Sequence, residues 1–258
     1  MKKREKTSVN YRERQHRVNS KEHVWPVWLL AALGVDTQRT RIRSERGTRR
    51  PKTWSGFNLS LQVRHVCQRC NNRWMARLEA RSRPFLRPLI AGTRSALNPA
   101  AQAAIATWAI KTAIVFEATR VEGDWFYSTD DCRFVREHAR PSARTSVWLG
   151  NYVGNSVAFS HASDLTGSIG DDQAMAIHLT TLAFGRLVIQ IANGKLPADV
   201  PLDTVVNVDM TPGPWNEAVV RVWPIVQETA AWPPTVALQD TGEASLDAFC
   251  DRWGGTEG

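Results

Sequence analysis

The chain reads as an α+β protein: a small strand–strand–helix unit near the N-terminus, then a mixed region with one long helix and short antiparallel strands. Three observations predict this. Cys67 and Cys70 form a C-x-x-C pair that leads straight into a helical apolar pattern. A period-two run enters that pair from upstream. After Pro88 the composition shifts to a long apolar helix, followed by strand-like runs parted by Gly, Pro and Asp. The sequence thus divides into a basic N-terminus (1–19), the small unit (20–92) and an α+β region (93–258).

Residues 1–19 are charged and lack apolar periodicity, so a mobile segment is expected there. Glu22 to Trp25 can form a short strand that Pro26 closes. Trp28 to Leu33 reads as one short helix stopped by Gly34. Residues 36–53 carry Arg39, Arg41, Arg43, Arg46, Arg49, Arg50 and Lys52 against Asp36 and Glu45, which reads as a basic loop with turn residues Gly47 and Pro51. Phe57, Leu59, Leu61 and Val63 then alternate with Asn58, Ser60, Gln62 and Arg64, the pattern of a half-buried strand running into Cys67.

Taken as a helix from Asn71, the positions Asn71, Trp74, Met75 and Leu78 share one face. That aims Asn71 at whatever the helix packs against, while Asn72 is turned away. Arg69, Arg73, Arg77 and Arg81 recur every four residues as a basic stripe. Further on, Asn98-Pro99 is a helix start, with a capping amide and proline in the first turn. Ile105, Trp108, Ala109, Thr112 and Phe116 supply its buried stripe. Strand-like runs follow at 147–149, 174–184, 187–191, 205–208 and 219–226, with a loop at Trp232-Pro233-Pro234 and a last short helix over 246–253.

Composition narrows the function. The net charge of +8 conceals an asymmetry: residues 1–90 hold 22 Lys and Arg against 6 Asp and Glu, and the remainder holds 11 against 19. Charge segregated this way points the first segment at a polyanion. No membrane span and no signal peptide are expected, because long apolar runs and an apolar segment behind Met1-Lys2-Lys3-Arg4 are lacking. Four cysteines are too few for a disulfide scaffold at this length, which favours a reducing, cytoplasmic setting.

The order Glu22-His23 closing a first strand, a second strand, then Cys67-x-x-Cys70-Asn71 opening a helix resembles the HNH endonuclease family, whose core is a ββα-metal fold. The resemblance spans about residues 20–92, through Glu-His-Val-x-Pro-x-Trp-Leu and Val-Cys-x-x-Cys-Asn-Asn-x-Trp-Met-x-x-Leu-Glu. Weaker echoes lie at Ala106–Ala113 and Gly185–Val188. Phosphodiester hydrolysis needs a base for water and a divalent cation for the scissile phosphate and leaving oxygen. A neutral imidazole suits the first task near physiological pH, and Mg²⁺ takes one or two hard oxygen ligands while keeping its waters. Carried over by position, the resemblance implies His23 as general base and Glu22 and Asn71 as ligands of the cation. Nucleic acid, double-stranded DNA above all, is then the implied partner. The basic loop and the stripe of Arg69, Arg73 and Arg77 would hold its backbone without reading sequence. Trp25, Trp28, Trp74 and Met75 are expected in the core, and His65 is expected to be structural.

Two departures from the family pattern stand out. Many relatives place a second C-x-x-C before the Glu-His, closing a tetrahedral zinc site. Residues 1–22 contain no cysteine, so Cys67 and Cys70 supply half of such a site. Loss of the zinc, a pair upstream of Met1 or substitution by His16 would each account for this, with the first two favoured. Gln62 also occupies the place of the middle Asn, where its longer arm can make similar hydrogen bonds. The nuclease is the first reading; the alternative is a degenerate unit that keeps the ββα shape and binds nucleic acid without cutting it.

Overall fold

The computed structural model describes residues 19–33, 40–46, 49–56, 61–119, 125–155, 158–169, 173–195, 204 and 215–252. Its centre is the long helix α4 (Pro99–Glu117), which the sequence marks well: the Asn98 side chain accepts the Ala101 N–H at 2.9 Å, and Pro99 opens the first turn. The expected single buried stripe understates it. Every residue from Ala101 to Glu117 except Ala103 is buried, because α4 is enclosed by neighbours on all sides. Length and apolar composition alone would let it cross a membrane, but it lies inside the protein.

Preceding α4 are β1 (Asn19–His23), α1 (Val27–Leu33), β2 (Thr40–Arg46), β3 (Arg49–Gly56), β4 (Gln62–Cys67), α2 (Gln68–Cys70), a π-helical turn over Asn71–Met75, α3 (Ala76–Ile90) and β5 (Ser95–Leu97). Following it are α5 (Thr129–His138), β6 (Thr145–Asn151), β7 (Ala158–Ile169), β8 (Gln173–Phe184), β9 (Leu187–Lys195), α6 (Trp215–Ala218), β10 (Val219–Trp223), β11 (Ala230–Trp232) and α7 (Leu246–Asp251). The α+β class holds.

Seven strands form the main sheet in the order β10-β6-β9-β8-β7-β2-β3, antiparallel throughout except for the parallel β2–β7 pair. The expected run 174–184 is β8 to within one residue, whereas β7, also of 12 residues, matches none of the expected strands. Both faces of the sheet are covered between β6 and β7. Val147, Leu149, Leu187, Ile189 and Ile191 join the cluster around α4, while Trp148, Val188, Ala192 and Phe159 join a second cluster with Phe249 of α7. Period two therefore separates two cores instead of core from solvent. Polar residues of β7, Ser160, His161 and Ser163, are buried within it, which hid this strand from a search for alternation.

A second correction concerns residues 36–53. Most of this basic segment is not loop: β2 and β3 form a hairpin, and β2 runs alongside β7. Thr40, Ile42 and Ser44 alternate with Arg41 and Arg43, a strand period that the arginine content obscured. Phe57 to Ser60 and Val205 to Val208 lie outside the described residues, and β10 stops at Trp223, short of the expected end. The core is continuous across residue 92. Trp25 stacks on Phe116 of α4 with centroids 5.6 Å apart and meets Phe184 of β8 edge-on at 5.1 Å.

Candidate functional site

The candidate site is built on the antiparallel pair β1–β4, which feeds directly into the cysteine knuckle. Its register is Asn19↔Cys67, Ser20↔Val66, Glu22↔Val63 and His23↔Gln62. Between Ser20 and Glu22 the register slips, with one more residue on β4 than on β1, so both Val63 and Val66 turn inward. Neighbouring strand residues face opposite ways. Glu22, opposite buried Val63, points into the protein and is 5% exposed. His23, opposite exposed Gln62, turns outward and is half-buried. The Gln62 amide nitrogen lies 2.8 Å from His23 Nε2.

At the other end of the pair, Cys67 Sγ accepts the Cys70 N–H at 3.0 Å and caps the short helix α2. Both thiols are buried. Burial and the neighbouring Cys67 sulfur push the Cys70 thiol up to about 11. Burial likewise raises the thiol of Cys132 on α5, a residue near enough to Cys70 for the two sulfurs to act on each other. Cys250 is on α7. Among the described residues, no group of three or more His, Cys, Asp and Glu is arranged to hold a metal ion.

Asn71 opens the π-helical turn, in which the Ala76 N–H reaches back to the Asn71 carbonyl, five residues earlier. Its side chain donates to Ser20 Oγ at 3.2 Å, and that hydroxyl donates to the Val66 carbonyl at 3.2 Å. Asn71 is thereby tied to the strand that carries His23. Ser20 and His23 are three steps apart along β1, a rise of roughly 10 Å. Asn72 is exposed, and Trp74 is half-buried while Met75 and Leu78 are buried, as the helical pattern predicts.

Glu22 has partners that its sequence neighbourhood does not reveal. It lies within electrostatic reach of Lys111 on α4 and Glu79 on α3. Burial lifts its carboxyl from an ordinary 4.5 to about 7; the Lys111 ammonium opposes the rise and the Glu79 carboxylate adds to it. Lys111 Nζ sits 2.8 Å from Glu79 Oε1 and is 1% exposed. A signal for this existed: Lys111 is the one charged residue between Arg94 and Glu117, in the middle of an apolar helical pattern. A charge there demands a buried partner.

Arg69, Arg73, Arg77 and Arg81 all face solvent, and Arg83 lies 5.8 Å over the Trp28 ring. Arg39 falls outside the described residues. Arg41, Arg43, Arg46, Arg49, Arg50 and Lys52 are on the β2–β3 hairpin, and their side chains lie outside the described part of the structure, as does that of His65. Of the remaining histidines, His178 is buried and pairs with Asp164 across the β7–β8 ladder at 2.5 Å. No family model, curated protein or solved structure matches the chain.

Proposed function

We propose that the chain is a nuclease of the HNH type, acting on the phosphodiester backbone of double-stranded DNA with His23 as general base. The observation that carries this reading is the setting of His23: last residue of β1, turned outward, and 2.8 Å from the Gln62 amide. The strand that bears it is tied to a helix whose exposed side is arginine. An amide offers both a donor and an acceptor. The Gln62 amide nitrogen lies against Nε2 and as placed donates to its lone pair; turned over, with its carbonyl toward the ring, the amide would accept the Nε2–H and leave the Nδ1 lone pair to take a proton from water. Gln62, which stands at the place of the middle Asn in the family pattern, would thereby orient the imidazole from the facing strand. Arg69, Arg73 and Arg77 supply sequence-independent backbone affinity.

The divalent cation that the resemblance implies would bind the scissile phosphate and stabilise the leaving oxygen. Asn71 is held by Ser20, which shares the inner face of β1 with Glu22, so its carboxamide lies on the side away from His23 and does not fit a ligand role beside that ring. Glu22 does not fit either. It faces away from His23 into a space shared with an ammonium, so no step is routed through that cation. Cys67 and Cys70 likewise have no further ligands among the described residues to complete a zinc site. The inward carboxylate favours one competing reading: a nucleic-acid-binding protein that keeps the ββα shape and does not cut.

Supercoiled plasmid incubated with the full chain and Mg²⁺ or Mn²⁺ separates the two. Nicking is expected, lost in His23→Ala while the variant still folds and binds DNA. Salt-sensitive binding with no cleavage under either cation would establish the non-cleaving protein instead.

A further inference from the structure

Burying a lysine in the middle of a central helix is costly unless its charge is matched, and α4 matches Lys111 more than once. Glu79 of α3 makes the direct ion pair at 2.8 Å, and Glu22 of β1 is the second carboxylate within reach. Three elements thus meet at one ammonium. The β1–β4 register turns Glu22 toward that meeting point, opposite buried Val63, and by alternation turns His23 the other way. Other charges nearby on these elements point outward: Arg64 on β4, Lys21 on β1 and Arg77 and Arg81 on α3 are exposed.

We infer that Glu22, Glu79 and Lys111 form a buried carboxylate–ammonium clamp that fixes β1 against α3 and α4, and that Glu22 positions His23 through the strand instead of ligating a cation. The clamp is independent of the nuclease reading, since it needs no nucleic acid and no turnover. A strand of five residues paired on one side has few contacts of its own, and a fixed inner side chain is what stops it from slipping by one residue and exchanging the faces of Glu22 and His23.

Amide hydrogen exchange on the full chain tests the clamp without DNA. Lys111→Met should speed exchange at the amides of Glu22 and Val24, which face β4, on the order of a hundredfold, the scale of breaking a buried ion pair, with β8 and β9 much less affected. Because that variant could unfold as a whole, Glu22→Gln and Glu79→Gln provide a milder pair. Glu79→Gln should loosen β1, Glu22→Gln alone should loosen it little because its ionised carboxyl is held in the fold at a cost, and the double variant, which leaves Lys111 with neither carboxylate, should loosen it by more than the product of the two single effects. Uniform loosening across the sheet, or effects of the two glutamines that simply multiply, would overturn the clamp. So would Mg²⁺ slowing β1 exchange in the wild type but not in Glu22→Gln, because that result makes Glu22 a cation ligand. The His23→Ala plasmid assay fails or succeeds separately from all of these.

Discussion

Glu22 and His23 are chain neighbours with opposite surroundings, and the difference has a thermodynamic sign. The Glu22 carboxyl is raised by burial from 4.5 to about 7 in the fold, against the pull of Lys111. A raised carboxyl binds its proton more tightly in the folded chain than in the unfolded one. Stability from this group is therefore full below pH 4.5, falls as pH rises, and is lost above about 7. The ceiling on that loss is about 3 kcal/mol. Glu22→Gln cannot ionise, so the wild type minus the variant isolates the effect from every other titrating group. Urea unfolding of both proteins at pH 5 and pH 8 should show the wild type losing about 2 to 3 kcal/mol more between the two values. Equal losses would place Glu22 in solvent. The sequence pairs Glu22 with His23 by adjacency and by resemblance. It does not say that a strand sends the two apart, because one residue of bulge in β4 decides which side is inner. The lone charge of Lys111 in an apolar helix is the readable clue, but the identity of its partners comes only from how three elements pack.

The helix over residues 68–90 shows what a single irregular turn does to a pattern. In a regular α-helix, residues four apart drift about 40° at each step while rising about 6 Å. Arg69, Arg73 and Arg77 would then wind around the helix. The π-helical turn over Asn71–Met75 is wider, so it takes back part of the drift and keeps the three guanidiniums nearer one line. All three are exposed, so removing them should leave the fold intact. If each neutralises one phosphate of duplex DNA, Arg69→Ala, Arg73→Ala and Arg77→Ala together should flatten the slope of log K against log salt by about 2 to 3. Fluorescence anisotropy over a salt series measures that slope, and an unchanged slope would move the interface to the β2–β3 hairpin. At this scale the sequence is uneven. The knuckle, α4 and α7 are legible because each carries a local marker: the C-x-x-C, the Asn98-Pro99 start, and the apolar run closing the chain. The start of α5 carries one too, since Ser128 and Asp131 cap each other in a reciprocal box, yet its buried stripe is only Cys132 and Val135, too short for the box to stand out against. The π-turn leaves no marker, since the apolar positions suit an α-helix equally well.

For the molecule as a whole, the question is how the knuckle helix is joined to the sheet, and the joint is a turn. Between β8 and β9, Gly185 and Arg186 reverse the chain against the end of α3. Arg186 donates its N–H to the Ile90 carbonyl at 3.0 Å, and its own carbonyl accepts from Tyr152 at 2.8 Å. Gly92, at φ +84°, leaves room for the Arg186 side chain, whose Cγ would lie 3.1 Å from a Cβ there. Gly185 itself has φ +56°, and a Cβ on it would come within 2.7 Å of the Ile90 carbonyl oxygen. Phe184, just before it, reaches Trp25 beyond β1, so the same turn also sets the floor under the candidate site. Gly185→Ala faces two costs, the left-handed backbone and a backbone oxygen that cannot step aside without breaking the Arg186 bond. A loss of about 2 to 3 kcal/mol is expected, seen as a lower urea midpoint at unchanged m. Gly242 provides the control, because its φ is +85° and a Cβ added to it would meet nothing within 4 Å. Gly242→Ala meets only the backbone cost and should lose about 1 kcal/mol. If the two variants are equally destabilised, the contact at Ile90 adds nothing and the turn is no joint; if Gly185→Ala alone also speeds amide exchange along β1, the turn and the site belong to one cooperative unit.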